Sequence, residues 1–126
     1  MPMMTQSPEE VANAFLDAFE ARDFERVRSF LSDDNFSYRS PIESFSNADD
    51  YIVTISRVGP ILERIERCKT FVNGNDVCCI LKIYTTMDTL NATPVVELIT
   101  VVDARITSME AIFDATEYNK MIVPPA

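Results

Sequence analysis

The sequence predicts an α+β fold in which an antiparallel sheet packs on helices. Apolar residues recur at helical spacing in the first half of the chain and alternate with a period of two beyond residue 67. Helices first and strands later are typical of one sheet packed on helices. Several strands are apolar on both faces, which favours covering the second face with another copy of the chain. We therefore expect one domain, residues 1–126, with the order α-α-β-α-β-β-β-β, forming a homodimer through the sheet face.

The first two helices have recognisable start signals. Ser7 is the expected N-cap of the first helix, with Pro8 at the first helical position and Glu10 placed to complete a capping box. Apolar residues then recur at helical spacing to about Ala21. Asp23 is the expected N-cap of a short second helix.

A brief strand and a long helix are expected next. The strand covers residues 36–39 and ends at Ser40-Pro41, because proline cannot donate a hydrogen bond to a ladder. Ser46 and Asp49 predict a helix cap. The apolar stripe of this helix comprises Tyr51, Ile52, Ile55, Val58, Leu62 and Ile65. Gly59-Pro60 lies in its middle and predicts a kink.

The second half of the chain predicts four antiparallel strands. They cover residues 68–72, 77–86, 94–102 and 106–113. The turn at residues 73–76, Asn-Gly-Asn-Asp, is a strong hairpin signal. A helical turn is expected after Ala115, before Pro124-Pro125.

The register of the last hairpin decides which side chains surround Glu97, a carboxylate within an apolar run. A two-residue turn would pair Glu97 with Glu110, and like charges directly opposed are unfavourable. A three-residue loop, residues 103–105, pairs Glu97 with Ala111 instead, and we predict that register. Glu97 then stands among Ile99, Val101, Met109, Ala111 and Phe113.

Composition excludes several classes of partner. The chain has 11 basic and 20 acidic residues, a net charge of −9 and a pI of about 4.4. This charge repels phosphate backbones and anionic lipids, so we expect no nucleic-acid partner and no membrane partner. No apolar run reaches the ~20 residues of a membrane span. The start of the chain lacks the pattern of a secretory signal, so a cytoplasmic location is expected.

The residues needed for common cofactor and nucleophile chemistry are missing. The chain has no histidine, which excludes Ser-His-Asp and Cys-His catalysis and histidine-ligated metals. Cys68, Cys78 and Cys79 are odd in number and lack CxxC spacing, so we expect free, packed thiols. The only glycines, Gly59 and Gly74, form no phosphate loop. We therefore expect no metal and no organic cofactor.

Two segments, DAFEARDFERVRSFLSDDNFSYRSPI and VVELITVVDARITSMEAIFD, resemble the nuclear transport factor 2-like superfamily, in particular its SnoaL-like branch. The resemblance implies a cone, in which a strongly curved antiparallel sheet wraps around the long helix and leaves a pocket at its open end. Members of the superfamily include ketosteroid isomerase, polyketide cyclases, epoxide hydrolases, dehydratases and non-catalytic binding or dimerisation modules.

The resemblance carries over the known catalytic positions only in part. Where ketosteroid isomerase has its base this chain has Ser40, and where it has the tyrosine of the first helix this chain has Phe15. Its second acid has a counterpart in Glu97, whereas the acid that the epoxide hydrolases carry on the last strand is Ala111 here. Neither mechanism transfers intact.

Glu97 is the candidate catalytic residue. In an apolar pocket its carboxylate is harder to ionise, so it could act as a general acid or hold a hydroxyl or carbonyl group. The alternative is a structural carboxylate that bonds to Tyr38, Tyr51 or Ser40, or that faces an arginine in a dimer seam. The expected ligand-binding residues are Phe15, Tyr38, Ser40, Tyr51, Ile55, Ile99, Met109, Ala111 and Phe113.

Two functions remain open from the sequence. The first is a protein whose pocket binds a small, largely apolar molecule, with isomerase, cyclase or dehydratase chemistry at Glu97. The second is a non-catalytic binding or dimerisation module of the same fold. A pocket of at least ~300 Å³ would favour a small-molecule site. A cone plugged by Phe15, Phe36 and Phe113 would favour assembly.

Overall fold

The computed structural model describes residues 6–122, so the predicted end at Pro124-Pro125 lies outside the described residues. Its helices are α1 (Pro8–Glu20), α2 (Phe24–Ser29), α3 (Ala48–Ile55) and α4 (Thr116–Ile122). Its strands are β1 (Ser37–Arg39), β2 (Ser44–Phe45), β3 (Leu62–Asn73), β4 (Asp76–Thr85), β5 (Thr93–Val102) and β6 (Arg105–Ile112). Short 3₁₀ turns cover Gly59–Ile61 and Asp88–Leu90. The predicted α+β class is confirmed.

The strands of the described chain form one curved, open sheet in the order β2-β1-β6-β5-β4-β3. Neighbouring strands are antiparallel except β1 and β6, which run parallel. The predicted curved antiparallel sheet is therefore present, and β1 departs from it by joining β6 in parallel. The sequence prediction also lacked β2. This strand has only two residues and comes shortly after Ser40-Pro41, where β1 ends, so it is too short to give a strand pattern.

Helix α1 lies against the inner face of the sheet. Its capping box is present as predicted: the Ser7 hydroxyl accepts from the Glu10 amide at 3.1 Å, and the Glu10 carboxylate accepts from the Ser7 amide at 2.9 Å. Val11, Phe15 and Leu16 are buried on the side of α1 that faces β3–β6. Burial of this stripe joins the helix to the sheet and builds the core.

The predicted long helix is wrong beyond Ile55. Helix α3 covers only Ala48–Ile55, and its N-cap is Asn47 rather than Ser46. Gly59-Pro60 does not kink a helix but begins a 3₁₀ turn, after which Leu62 starts β3. The helix that the sheet covers is therefore α1, not the predicted long helix.

A bulge near the start of β3 explains why this strand looked helical. Leu62 pairs with Thr85 and Arg64 with Tyr84, which leaves one extra residue on β3. Leu62 and Ile65, three positions apart, are consequently both buried. An unbroken strand would put them on opposite faces.

The predicted register of the last hairpin is confirmed, but the predicted loop is wrong. Glu97 pairs with Ala111, as expected. The turn, however, has only two residues, Asp103 and Ala104, both in the left-handed region with φ of 51° and 61°. A register shift after Thr100 supplies the extra residue that the three-residue loop was expected to provide.

The outer face of the sheet carries exposed apolar side chains. In the register of the sheet, Phe71, Cys78 and Leu98 form a row across it, and Ile112 lies in the adjacent row. Phe71 is 55% exposed, Leu98 39% and Ile112 50%. None of the helices within residues 6–122 has the length and apolarity needed to cross a membrane. The cytoplasmic location and the dimer stay predictions.

Candidate functional site

A small cavity opens between the inner face of the sheet, helix α3 and the turn from β1 to β2. Its volume is about 120 Å³, and its walls are mostly apolar. It is lined by Phe19, Tyr38, Ile42, Glu43, Tyr51, Thr54, Ile55, Val58, Leu62, Ile83, Thr93, Val95, Glu97, Ala111 and Phe113. Because this cavity contains Glu97, we treat it as the candidate site and call it the Glu97 cavity.

Glu97 is the most unusual group in the cavity. Its residue is only 9% exposed, and burial raises the pKa of its carboxyl from an ordinary 4.5 to about 7. Within residues 6–122 no donor lies within hydrogen-bond distance of this carboxylate, and no charged partner lowers its pKa. Every fully enclosed side-chain polar atom in the described chain has a hydrogen-bond partner. Because the Glu97 oxygens have none, they are not fully enclosed and must face the cavity space. The expected bonds from Tyr38, Tyr51 or Ser40 are not formed.

Tyr51 projects from α3 beside Glu97 and is 2% exposed. Its ring lies 4.7 Å from that of Tyr38 and 5.5 Å from that of Phe36, measured between centroids. Burial raises the pKa of Tyr51 well above its ordinary value, and the charges of Glu97 and Glu43 add to this effect. The hydroxyl therefore keeps its proton at neutral pH and can donate to a ligand.

Glu43 is a second carboxylate of the cavity, and sequence analysis missed it. It is half-buried, and partial burial raises the pKa of its carboxyl while the charge of Arg57 opposes the rise. Ser40 shapes the turn that carries it, since the Ser40 hydroxyl accepts from the amides of Ile42 and Glu43, each at 3.3 Å. The sequence Ser-Pro-Ile-Glu was read only as the end of a strand, although serine before such a turn is a recognisable signal.

The buried thiol next to Glu97 is not a nucleophile. Cys79 pairs with Glu97 across β4 and β5 and is fully buried. Burial, and then the charge of Glu97, raises the pKa of this thiol to about 11. The protonated thiol therefore acts as a packing group. The other cysteines, Cys68 and Cys78, are also free and lie outside the cavity.

The structure brings together six of the ten predicted site residues. Tyr38, Tyr51, Ile55, Glu97, Ala111 and Phe113 line the cavity. Phe15 and Ile99 belong to the core, Met109 is buried beside them, and Ser40 acts through the turn. Phe36 is buried against Tyr51, so of the three expected plugs only Phe113 reaches the cavity.

A larger groove of about 720 Å³ lies on the outer face of the sheet. Its carboxylates already have partners: Glu110 forms an ion pair with Arg39 at 3.0 Å, and Asp76 accepts from the Thr100 hydroxyl at 2.7 Å. The groove is open, and half of its lining residues carry hydroxyl groups. Because it holds no buried, unpartnered group, the smaller cavity is the better candidate for chemistry.

No set of three or more metal-ligating side chains converges anywhere in residues 6–122. The side chains that line the Glu97 cavity offer two carboxyl groups, two tyrosine hydroxyls, two threonine hydroxyls and apolar walls.

Comparisons with known proteins identify the fold. No protein-family model and no curated protein matches the sequence. Among solved structures, a nuclear transport factor 2-like protein from Cytophaga hutchinsonii has a TM-score of 0.78 and 22% identity, over 92% of this chain and 98% of that one. An LEH-like epoxide hydrolase from M. tuberculosis has a TM-score of 0.76 and 21% identity, over 92% and 89%.

A third match has a ketosteroid isomerase-like fold and was solved in complex with trimethylamine. It comes from Catenulispora acidiphila, with a TM-score of 0.70 and 17% identity, over 84% of this chain and 85% of that one. A SnoaL-like structure is also among the matches. Likeness at this level of identity establishes the fold and leaves the activity to the site. The chain therefore has the nuclear transport factor 2-like fold that its sequence predicted.

Proposed function

We propose that the chain binds a small, largely apolar molecule in the Glu97 cavity, with the Glu97 carboxyl bonded to a polar group of that molecule. The observation that carries the proposal is a buried carboxyl with no hydrogen-bond partner in the described chain, facing an apolar cavity. Leaving such a group unpaired costs ~1–3 kcal/mol or more, so a bound ligand or water is expected to satisfy it.

The size of the cavity limits the ligand. At about 120 Å³ it is smaller than the ~300 Å³ expected for a common small-molecule site. It is close in size to an apolar cavity of ~150 Å³ that admits benzene. The ligand should therefore be a compact molecule of about four to seven non-hydrogen atoms, or a larger molecule that inserts one compact end. The trimethylamine complex of a neighbour with the same fold supports a ligand of this size.

Acid–base chemistry at Glu97 is the finer form of this proposal. A carboxyl with a pKa of about 7 is close to half protonated at neutral pH and can both donate and accept a proton. Tyr51, protonated and adjacent, would hold a carbonyl or hydroxyl oxygen of the substrate. An isomerase, cyclase or dehydratase can use this combination for proton transfer. Replacing Glu97 with glutamine should then lower turnover of an identified substrate by at least ~100-fold, and unchanged turnover would exclude acid–base work by Glu97.

Binding can be tested by NMR titration with benzene and tert-butanol as probes. We expect shifts in the amide signals of Glu97 and Ala111, and loss of those shifts in Ala111→Leu, because leucine would fill the cavity. Ala21→Leu, at the exposed end of α1, is the matched control and should bind as the wild type does. Absence of binding, or equal binding by Ala111→Leu, would contradict the proposal.

Assembly is the second candidate function, favoured by the outer face of the sheet. Leu98 and Ile112 are exposed there on neighbouring strands, and Phe71 is exposed two strands from Leu98 on the same face. Such apolar patches commonly mark protein interfaces. The Arg39–Glu110 ion pair lies at the opposite side of the same face. The face therefore carries charges of both signs, which can complement those of a second copy. We propose that two chains associate through this face whether or not the cavity is occupied.

A further inference from the structure

The lining of the Glu97 cavity has a consistent electrostatic character. Two carboxyl groups line it, Glu97 at its inner wall and Glu43 near α3, and none of the described lining residues is a lysine or arginine. Four aromatic rings share the same walls, contributed by Phe19, Tyr38, Tyr51 and Phe113. Aromatic faces carry partial negative charge and ionised carboxylates carry full negative charge, so both kinds of group attract a cation.

Tyr51 lies close to the carboxyl groups as well as to a second aromatic ring. The charges of both Glu97 and Glu43 act on its hydroxyl, so each carboxyl group lies within electrostatic range of Tyr51. Its ring centroid lies 4.7 Å from that of Tyr38, with the two rings tilted, and both rings line the same cavity as the carboxylates. The cavity thus has acidic groups and aromatic rings within the volume of one small molecule.

We propose that the ligand of this cavity is a small alkylammonium cation, an amine of about four to six non-hydrogen atoms in its protonated form. The inference rests on the proposed binding function and specifies its ligand class. The ammonium head would bond to the Glu97 carboxylate, and the alkyl groups would contact the rings of Tyr38, Tyr51 and Phe113. A neutral alcohol or ketone of the same shape would leave the attraction of the second carboxylate and the ring faces unused.

The surroundings explain how a cation would reach the site. The chain has a net charge of −9, which raises the local concentration of cations. Arg57 is exposed and acts on Glu43 from outside the lining, so it does not occupy the position proposed for the ammonium group. Cys79, the remaining titratable neighbour of Glu97, is protonated and adds no charge.

The test compares two probes of equal shape and different charge. tert-Butylammonium and tert-butanol have the same number of non-hydrogen atoms, and at about pH 8 the first is a cation while Glu97 is mostly ionised. We expect NMR titration to give an affinity for tert-butylammonium at least ~10-fold higher than for tert-butanol. In Glu97→Gln the preference should fall to about twofold or less, since a neutral amide replaces the carboxylate. Glu110→Gln removes the same formal charge from the outer face and should keep the preference.

The possible results separate the two proposals. Equal or tighter binding of tert-butanol would overturn the cation assignment and leave the binding function standing. A preference for the cation that persists in Glu97→Gln would overturn the assignment as well, because the Glu97 carboxylate would then not hold the ammonium group. A preference that disappears in Glu110→Gln would also overturn it, because net charge alone would then explain the preference. Binding of neither probe would overturn both proposals. The comparison of probes on the wild-type chain stands even if a variant fails to fold.

Discussion

Replacement of Glu97 by glutamine should change how the stability of the protein depends on pH. The carboxyl of Glu97 has a pKa of about 7 in the folded chain, against an ordinary 4.5 that applies when the chain is unfolded. Between these values the folded state holds the proton more tightly, so the unfolded state binds fewer protons. Raising the pH through this window therefore lowers the free energy of unfolding.

The difference between 4.5 and about 7 sets the size of the effect. At about 1.4 kcal/mol for each pH unit, Glu97 removes ~3 kcal/mol of stability between pH 4.5 and pH 8. This is a large part of the 5–15 kcal/mol that is typical of a folded domain. Glutamine has nearly the same shape and does not ionise, so the variant should not show this decline.

The assay is urea unfolding of the wild type, Glu97→Gln and Glu110→Gln at several values between about pH 4.5 and pH 8. We expect the free energy of unfolding of Glu97→Gln, minus that of the wild type, to rise by ~3 kcal/mol across the range. Glu110→Gln should retain the decline of the wild type, because Glu97 is still present. A constant difference between Glu97→Gln and the wild type would show that Glu97 titrates alike in both states, and would refute the burial argument.

Two further predictions concern the backbone and the outer face. Ala92 has φ of 55°, a strained value for alanine, so Ala92→Gly should raise the free energy of unfolding by roughly 0.5–1 kcal/mol in urea. Ala21→Gly is the control at φ of −75° and should lower it, because glycine adds freedom to the unfolded chain; a rise in both variants would contradict the strain argument. Leu98→Glu should turn a dimer into a monomer by light scattering, because it places a charge in the proposed interface. Val53→Glu, 54% exposed on α3 away from the sheet, should leave the dimer intact, and a dimeric Leu98→Glu would exclude this face.

Local chemistry explains the parts of the fold that were predictable from the sequence. The capping box at Ser7 and the Asp23 cap depend on residues three apart in the chain, and both are present. The hairpin around Gly74 follows from a residue that readily adopts a positive φ, here 61°. The pairing of Glu97 with Ala111 was predictable because the competing register would oppose two glutamates. Each inference needed only neighbours in sequence or a single strand pair.

The sequence was sufficient to predict the part of the site whose burial depends on a single strand. Glu97 stood out as a carboxylate between Val95 and Ile99 on one face of β5, and its burial follows from that alternation. Glu43 was missed because its place in the cavity depends on how the turn after β1 folds back over α3. No pattern within the strand or the turn could show that the two carboxylates share a cavity.

Bulges account for the main errors, and they also make the cavity. In β3 and β6 an extra residue puts two side chains three positions apart on the same face, Leu62 with Ile65 and Ile106 with Met109. In β3 this spacing resembles that of a helix, so the sequence predicts a helix there. In β6 the extra residue makes the sequence predict a three-residue loop, whereas the turn has two residues. A bulge also bends and twists its strand, and such bends are how an open sheet becomes strongly curved. The inner face of a flat sheet would lie against α1 and α3 along its whole length. The same irregularities that obscured the strands in the sequence therefore help to hold the sheet away from α3, leaving room for a ligand beside Glu97.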